Sequence, residues 1–192
     1  MKAAILAAPA PISERPLQIV DVADPRVRSG HVLLRVRACG VCRTDLHIVE
    51  GELPSKQLRI IPGHQIVGEI VDGATTDIPL GTRVGVSWVG GTDGTCPYCL
   101  KGFENLCDAP TFTGYTVAGG YAEYAFARAD FVFPLPDSLD DLHAADEPSL
   151  LLLRFLAVVV PFQAAKAKVW GGSASRTISS RLQTWLARPS QI

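Results

Sequence analysis

Two groups of residues in this 192-residue chain have the types and spacing to hold metal ions. In the first, Asp93 stands three residues before Cys96-Pro-Tyr-Cys99, and Cys107 follows. Thiolates separated by two and seven residues can close on one ion from a single loop. With Asp93 they make a tetrahedral set of one oxygen and three sulfurs, which zinc accepts because its filled d shell imposes no geometry. The expected role is structural.

The second group joins Cys42-Arg43-Thr44-Asp45-Leu46-His47 to Gly63-His64-Gln65. A thiolate and an imidazole brought from separate loops can share one zinc and leave positions open for water or substrate, as a catalytic site requires. Thr44 adds a hydroxyl two residues beyond the sulfur, and His47 adds a group able to titrate near neutral pH. Together they can carry a proton from a metal-bound hydroxyl to solvent.

The elements that must position these groups read as short strands with turn punctuation: 2–7, 17–22, 32–38, 66–72, 82–88, 121–127 and 131–133. In Val32-Leu-Leu-Arg-Val-Arg-Ala38 one face carries Val32, Leu34, Val36 and Ala38 while Arg35 and Arg37 point the other way, the period-two pattern of a half-buried strand. Glycine and proline separate the runs, and the pattern predicts a compact, mainly β barrel or sandwich. Ser138 and Asp141 form a capping-box start that predicts a short helix over 139–146. Pro148 opens a second, wholly apolar helix over 149–160, and the chain from Gln163 onward reads as basic and weakly ordered.

Composition narrows the classes. A hydrophobic fraction of 47% supports a packed core. No apolar stretch reaches the roughly 18 residues of a membrane span, and the amino terminus is too short in apolar residues for a signal peptide, so a cytoplasmic protein is expected. There five cysteines read as ligands or free thiols rather than disulfides. Net charge of −1 gives no argument for a nucleic-acid partner. Its distribution is uneven: every one of the 19 acids lies at or before Glu147, and six of the 18 basic residues lie beyond it, leaving twelve against 19 in the first 147 residues.

Three runs together resemble the zinc-dependent alcohol dehydrogenases of the medium-chain dehydrogenase/reductase superfamily. They are Ala38-Cys-Gly-Val-Cys-Arg-Thr-Asp-Leu-His47, Pro62-Gly-His-Gln-Ile-Val-Gly68 and Gly81-Thr-Arg-Val-Gly-Val86. The run from Asp93 to Cys107 is similar to that family's structural zinc loop, and Gly119-Gly-Tyr-Ala-Glu-Tyr124 to its usual continuation. The resemblance covers about residues 1–145. It implies a GroES-like catalytic domain over 1–137, a partly open β barrel with a structural zinc lobe. Cys42 and His64 become catalytic zinc ligands, Thr44 and His47 the proton relay, and Asp45 the residue that orients a ligand. The implied substrate is a small alcohol or aldehyde, and NAD(P) the hydride acceptor. Trp88 is expected near the pocket or, equally, as a core aromatic at a strand end. Oligomeric state is not legible.

The chain departs from the family in four places. Gln65 stands where the family has glutamate, Asp93 where it has cysteine, and no cysteine after Cys107 supplies a third catalytic ligand. His143, Asp146 and Glu147 are the nearby substitutes. The fourth departure is the Rossmann domain: Trp170-Gly171-Gly172 lacks the three-glycine spacing, and 138–192 reads as a helical and basic tail. A frameshift near codon 146 accounts for the simultaneous loss of family pattern and of acids. The competing function is a non-catalytic zinc-binding domain or inactive remnant. Spacing argues against a four-cysteine ribbon pairing Cys39 and Cys42 with Cys96 and Cys99. The 53 residues between the pairs exceed the roughly 15–20 expected.

Overall fold

The computed structural model describes residues 1–146 apart from 55, 58, 74 and 76. The helix expected over 149–160 and the basic segment after 163 lie outside the described residues. Strands dominate: β1 (Lys2–Leu6), β2 (Leu17–Asp21), β3 (His31–Gly40), β4 (Gln65–Asp72), β5 (Arg83–Val86), β6 (Val89–Gly91), β7 (Thr111–Phe112), β8 (Tyr124–Arg128) and β9 (Phe133–Pro134). Two α-helices accompany them, α1 (Arg43–Val49) and α2 (Asp141–Asp146).

The central sheet has the order β8-β3-β4-β5-β9 with every neighbouring pair antiparallel. β1 and β2 pair separately, tied on by bridges from Ala3 to Ala122 and Leu6 to Ile60, and β6 pairs with β7. This is the mainly β architecture that the sequence predicts, with two short helices packed around it.

β3 carries the alternation that gave it away, as far as Val36. Val32 and Leu34 have no exposed surface and pack with Ile66, Ile70, Val84 and Val86. Then the β3–β4 register slips between Val36 and Ala38. One extra residue in a strand reverses the facing of everything after it. Ala38 therefore packs not with Val32 and Leu34, as the simple alternation predicts, but with Val67, Ala144 and Ala145 beneath α2. Cys39 takes the interior side instead and joins the two larger clusters.

α2 starts two residues later than the sequence reading, and its cap is Asp140 rather than Ser138. The Asp140 carboxylate accepts from the N–H groups of Leu142 and His143, both at 3.0 Å. An aspartate one residue before the first helical position satisfies two orphan donors at once, which Ser138 is too far back to do. The helix is pinned by Asp141, which accepts from Arg37 Nε at 2.7 Å and Arg83 Nη1 at 2.9 Å. Ala144 and Ala145 are buried against the sheet.

Candidate metal centres

The first centre is built at the start of α1. The sequence reading placed Cys42 in a loop; the residue is the N-cap of a seven-residue helix, extended at φ −122° and ψ 179°. Its Sγ accepts from Thr44 N–H at 3.2 Å, and Asp45 Oδ2 accepts from Cys42 N–H at 2.9 Å. That is a capping box with cysteine in the usual serine role. Asp45 has no exposed surface, and its other oxygen accepts from Gly63 N–H and from His64 Nδ1, each at 3.2 Å. One carboxylate thus ties the helix start to the loop that carries the histidine.

With Nδ1 committed to Asp45, His64 turns Nε2 toward Cys42 Sγ, 3.2 Å away. The loop is held from behind by close backbone packing. Gly63 adopts φ 93°, and a Cβ on Gly119 would stand 2.1 Å from Gly63 O, so both positions require glycine. Trp88 meets the His64 ring edge-on at 5.1 Å and stacks on Phe112 at 4.7 Å and Tyr115 at 5.8 Å. Trp88 therefore borders His64 and packs against the core, as the expectation of a core aromatic has it.

Electrostatics at this centre favour a cation. Burial by itself disfavours charge on His64, but hydrogen bonding and attraction to Asp45, and then to Cys42, outweigh it and raise its pKa to about 10. Burial pushes the thiol of Cys39 and the phenol of Tyr121 up, and the Asp45 charge adds to both. The gap between Nε2 and Sγ, 3.2 Å across, is where a divalent ion would meet both groups. The donor set fits zinc: a thiolate, and an imidazole whose far nitrogen is oriented by a carboxylate.

Cys42, Asp45 and His64 bring their ligand atoms within 4.8 Å of one another. Asp45 spends both oxygens on the bonds above, leaving two free ligands. Of the substitutes for a third, His143 is exposed and directs Nδ1 at Asp140, Asp146 is exposed, and Glu147 lies outside the described residues. Gln65 is buried, and its Oε1 lies against Gly40, 3.0 Å from where a Cβ on that glycine would stand.

Thr44 and His47 sit three residues apart on α1, both half-buried. The Nδ1 of His47 is paired with the carboxylate of Glu52, a residue the sequence reading missed. An acid just past a glycine that ends the helix, Gly51-Glu52, was the available signal.

The second centre is self-contained. Asp93, Cys96, Cys99 and Cys107 place their ligand atoms within 4.8 Å of one another. Asp93 Oδ1 accepts from Thr95 N–H at 2.8 Å and Cys96 N–H at 2.9 Å, and those two bonds hold its pKa down to about 2. Backbone N–H groups also point at the sulfurs: Asp93 and Ala109 donate to Cys107 Sγ, both at 3.4 Å, and Cys99 to Cys96 Sγ at 3.5 Å. The N–H of Cys99 helps lower the Cys96 pKa, whereas burial and then the neighbouring Cys96 and Cys107 sulfurs push Cys99 up to about 12. Packed sulfurs that resist a second negative charge are what a dication relieves. Cys39 does not take part, and no four-cysteine set joining Cys39 and Cys42 to Cys96 and Cys99 occurs among the described residues.

Comparison with known proteins places this chain in a wider group. The family described as "Alcohol dehydrogenase GroES-like domain" matches residues 28–137. An alcohol dehydrogenase of Geobacillus stearothermophilus is 47% identical over 135 residues, which are 69% of this chain and 40% of that protein. A putative zinc-binding dehydrogenase from Sinorhizobium meliloti 1021, solved with NADP, superposes with a TM-score of 0.66 at 32% identity, covering 75% of this chain and 41% of its own. A thermostable alcohol dehydrogenase from Pyrobaculum aerophilum, solved with cobalt and zinc, gives 0.69 at 30% identity, covering 77% and 44%. The chain spans about two fifths of the length of the curated relatives it matches.

Proposed function

This chain belongs to the alcohol dehydrogenase GroES-like domain family, and we propose that residues 1–137 are the catalytic domain of a zinc-dependent enzyme. It oxidises a small alcohol to an aldehyde or ketone with hydride transfer to NAD(P). The observation that carries this reading is the 3.2 Å approach of Cys42 Sγ to His64 Nε2, with His64 Nδ1 held by buried Asp45. Zinc bound there supplies Lewis acidity toward the alcohol oxygen. Cys42 and His64 are its ligands, and Asp45 keeps the imidazole in the tautomer that leaves Nε2 free. Thr44 and His47 move the hydroxyl proton outward along one face of α1. Trp88 walls the centre and limits water. Asp93, Cys96, Cys99 and Cys107 hold a structural zinc that stiffens the loop from β6 to β7.

Contact with the nicotinamide cofactor is the part of a Rossmann domain of the kind the family resemblance implies. Residues 138–192 are proposed as a tail whose first turn is docked through α2, with the reading frame altered near codon 146. Resequencing of the locus tests this, since an unbroken family-like reading in another frame downstream is expected.

A second reading, a zinc-binding domain without catalysis, is favoured by one observation: among the described residues the first centre gathers Cys42, His64 and Asp45, but both Asp45 oxygens already accept hydrogen bonds, which leaves two uncommitted ligands where a catalytic zinc takes three. Metal analysis of the purified chain with Cys42→Ser and Cys99→Ser variants separates the two. Two zinc ions per chain, one lost with each substitution, together with NAD(P)H-linked turnover, support the enzyme. One zinc, lost only with Cys99→Ser, and no turnover support the remnant.

A further inference from the structure

α1 ends at Val49, and the chain reverses at Gly51, whose φ is 81° and whose absent Cβ leaves room for Pro9 Cβ, 2.9 Å from that position. The reversal lays the next two residues back along the helix. Leu53 N–H donates to the carbonyl of His47 at 3.1 Å, and the Leu53 side chain packs against the cluster that contains Ile48 and Val49. Glu52 is therefore held between a fixed turn and an anchored neighbour, and its carboxylate meets His47 Nδ1.

We infer that Glu52 is a positioning residue that selects the tautomer of His47, keeping the proton on Nδ1 and leaving Nε2 as the atom that accepts one. The neutral imidazole of an unconstrained histidine carries its proton mainly on Nε2, and a ring in that state cannot accept a proton there. A hydrogen bond from Nδ1–H to a carboxylate reverses the preference. The consequence for a relay, which rests on the reading of Thr44 and His47 given above, balances atom by atom. Nε2 takes up the proton released through the Thr44 hydroxyl, Nδ1–H stays bonded to Glu52, and the positive charge on the ring falls beside the carboxylate until a proton leaves to solvent. The same pairing logic appears at His64, where Asp45 holds Nδ1.

The test is direct observation of the two ring nitrogens in the 15N-labelled full chain by two-bond proton–nitrogen correlation, recorded where the ring is neutral. A His47→Gln variant identifies the signals. The wild type is expected to show a protonated Nδ1 and an unprotonated Nε2. Glu52→Ala is expected to shift the population to mostly Nε2–H, and Glu52→Gln, whose amide oxygen still accepts, to keep the wild-type pattern. A wild-type His47 carrying its proton on Nε2, or a Glu52→Ala pattern unchanged from wild type, overturns the inference. Because the spectrum needs no metal, it is independent of the zinc reading, which fails separately if Cys42→Ser leaves zinc content unchanged.

Discussion

Asp45 accepts a hydrogen bond from His64 Nδ1 at 3.2 Å from a position with no solvent exposure, and the same carboxylate accepts from the backbone N–H groups of Cys42 and Gly63. Removing it strands three donors, two of them buried. Asp45→Ala is expected to cost at least about 3 kcal/mol of stability in the metal-free protein, read from urea unfolding. Zinc affinity at Cys42 and His64 should fall by about 10- to 100-fold, because the imidazole loses its orientation. Asp45→Asn keeps the volume and one acceptor oxygen, so its loss of stability should be smaller. Unfolding curves for Asp45→Ala that match the wild type would sink the account.

The two centres should hold metal unequally. Asp93, Cys96, Cys99 and Cys107 offer four ligands already gathered, while Cys42 and His64 offer two with a single anionic sulfur. Titration with a chromophoric chelator is expected to strip a weak ion first and a tight ion later. Cys42→Ser should abolish the early phase, and Cys99→Ser the late one. Asp93→Asn keeps an oxygen for the turn to Thr95 and Cys96 but removes the charge, so it should weaken the late phase without abolishing it. A single phase unaffected by Cys42→Ser contradicts the assignment of the first centre.

The sequence carried most of the longer strands and the candidate ligand residues because these leave a local mark, whereas the three- and two-residue strands β6 and β7 leave none. Leu34 and Val36 alternate with Arg35 and Arg37, and the sulfurs of the lobe lie within fifteen residues of chain. Three other features were non-local or masked by chemistry. The helix after Cys42 is only seven residues long, contains β-branched Ile48 and Val49, and is capped by a cysteine, a residue outside the usual capping set. The change of facing at Ala38 depends on how β4 pairs opposite it, which β3 alone cannot encode. Glu52 needed the three-dimensional return of the chain at Gly51 to reach His47.

Gly40 lies under the last turn of α2, where a Cβ would stand 2.2 Å from the carbonyl oxygen of Ala145 and 3.0 Å from Gln65 Oε1. The first of those partners is backbone and cannot step aside as a side chain could. Gly40→Ala should therefore lift α2 off β3 and β4 at a cost of about 1–3 kcal/mol. Amide exchange in residues 141–146 should speed up, while exchange in β5 changes little. Unaltered protection across α2 would show that the helix does not bear on Gly40.

Asp141 supplies the pH dependence of the same contact. Burial alone raises its pKa, but hydrogen bonds from Arg37 and Arg83 and their charges outweigh it, so the folded-state value lies below the ordinary 3.8. A carboxyl whose folded pKa is depressed adds stability that is fully present above its unfolded pKa and is lost as pH falls through the folded value. The ion pairs to Arg37 and Arg83, at 2.7 and 2.9 Å, should therefore support α2 at neutral pH and weaken below about pH 4. Urea midpoints of wild type and Asp141→Asn are expected to differ at pH 7 and to converge toward pH 3. The wild-type midpoint should show the steeper fall. A difference between the two proteins that stays constant across that range would mean Asp141 acts by packing alone, with no part for its charge.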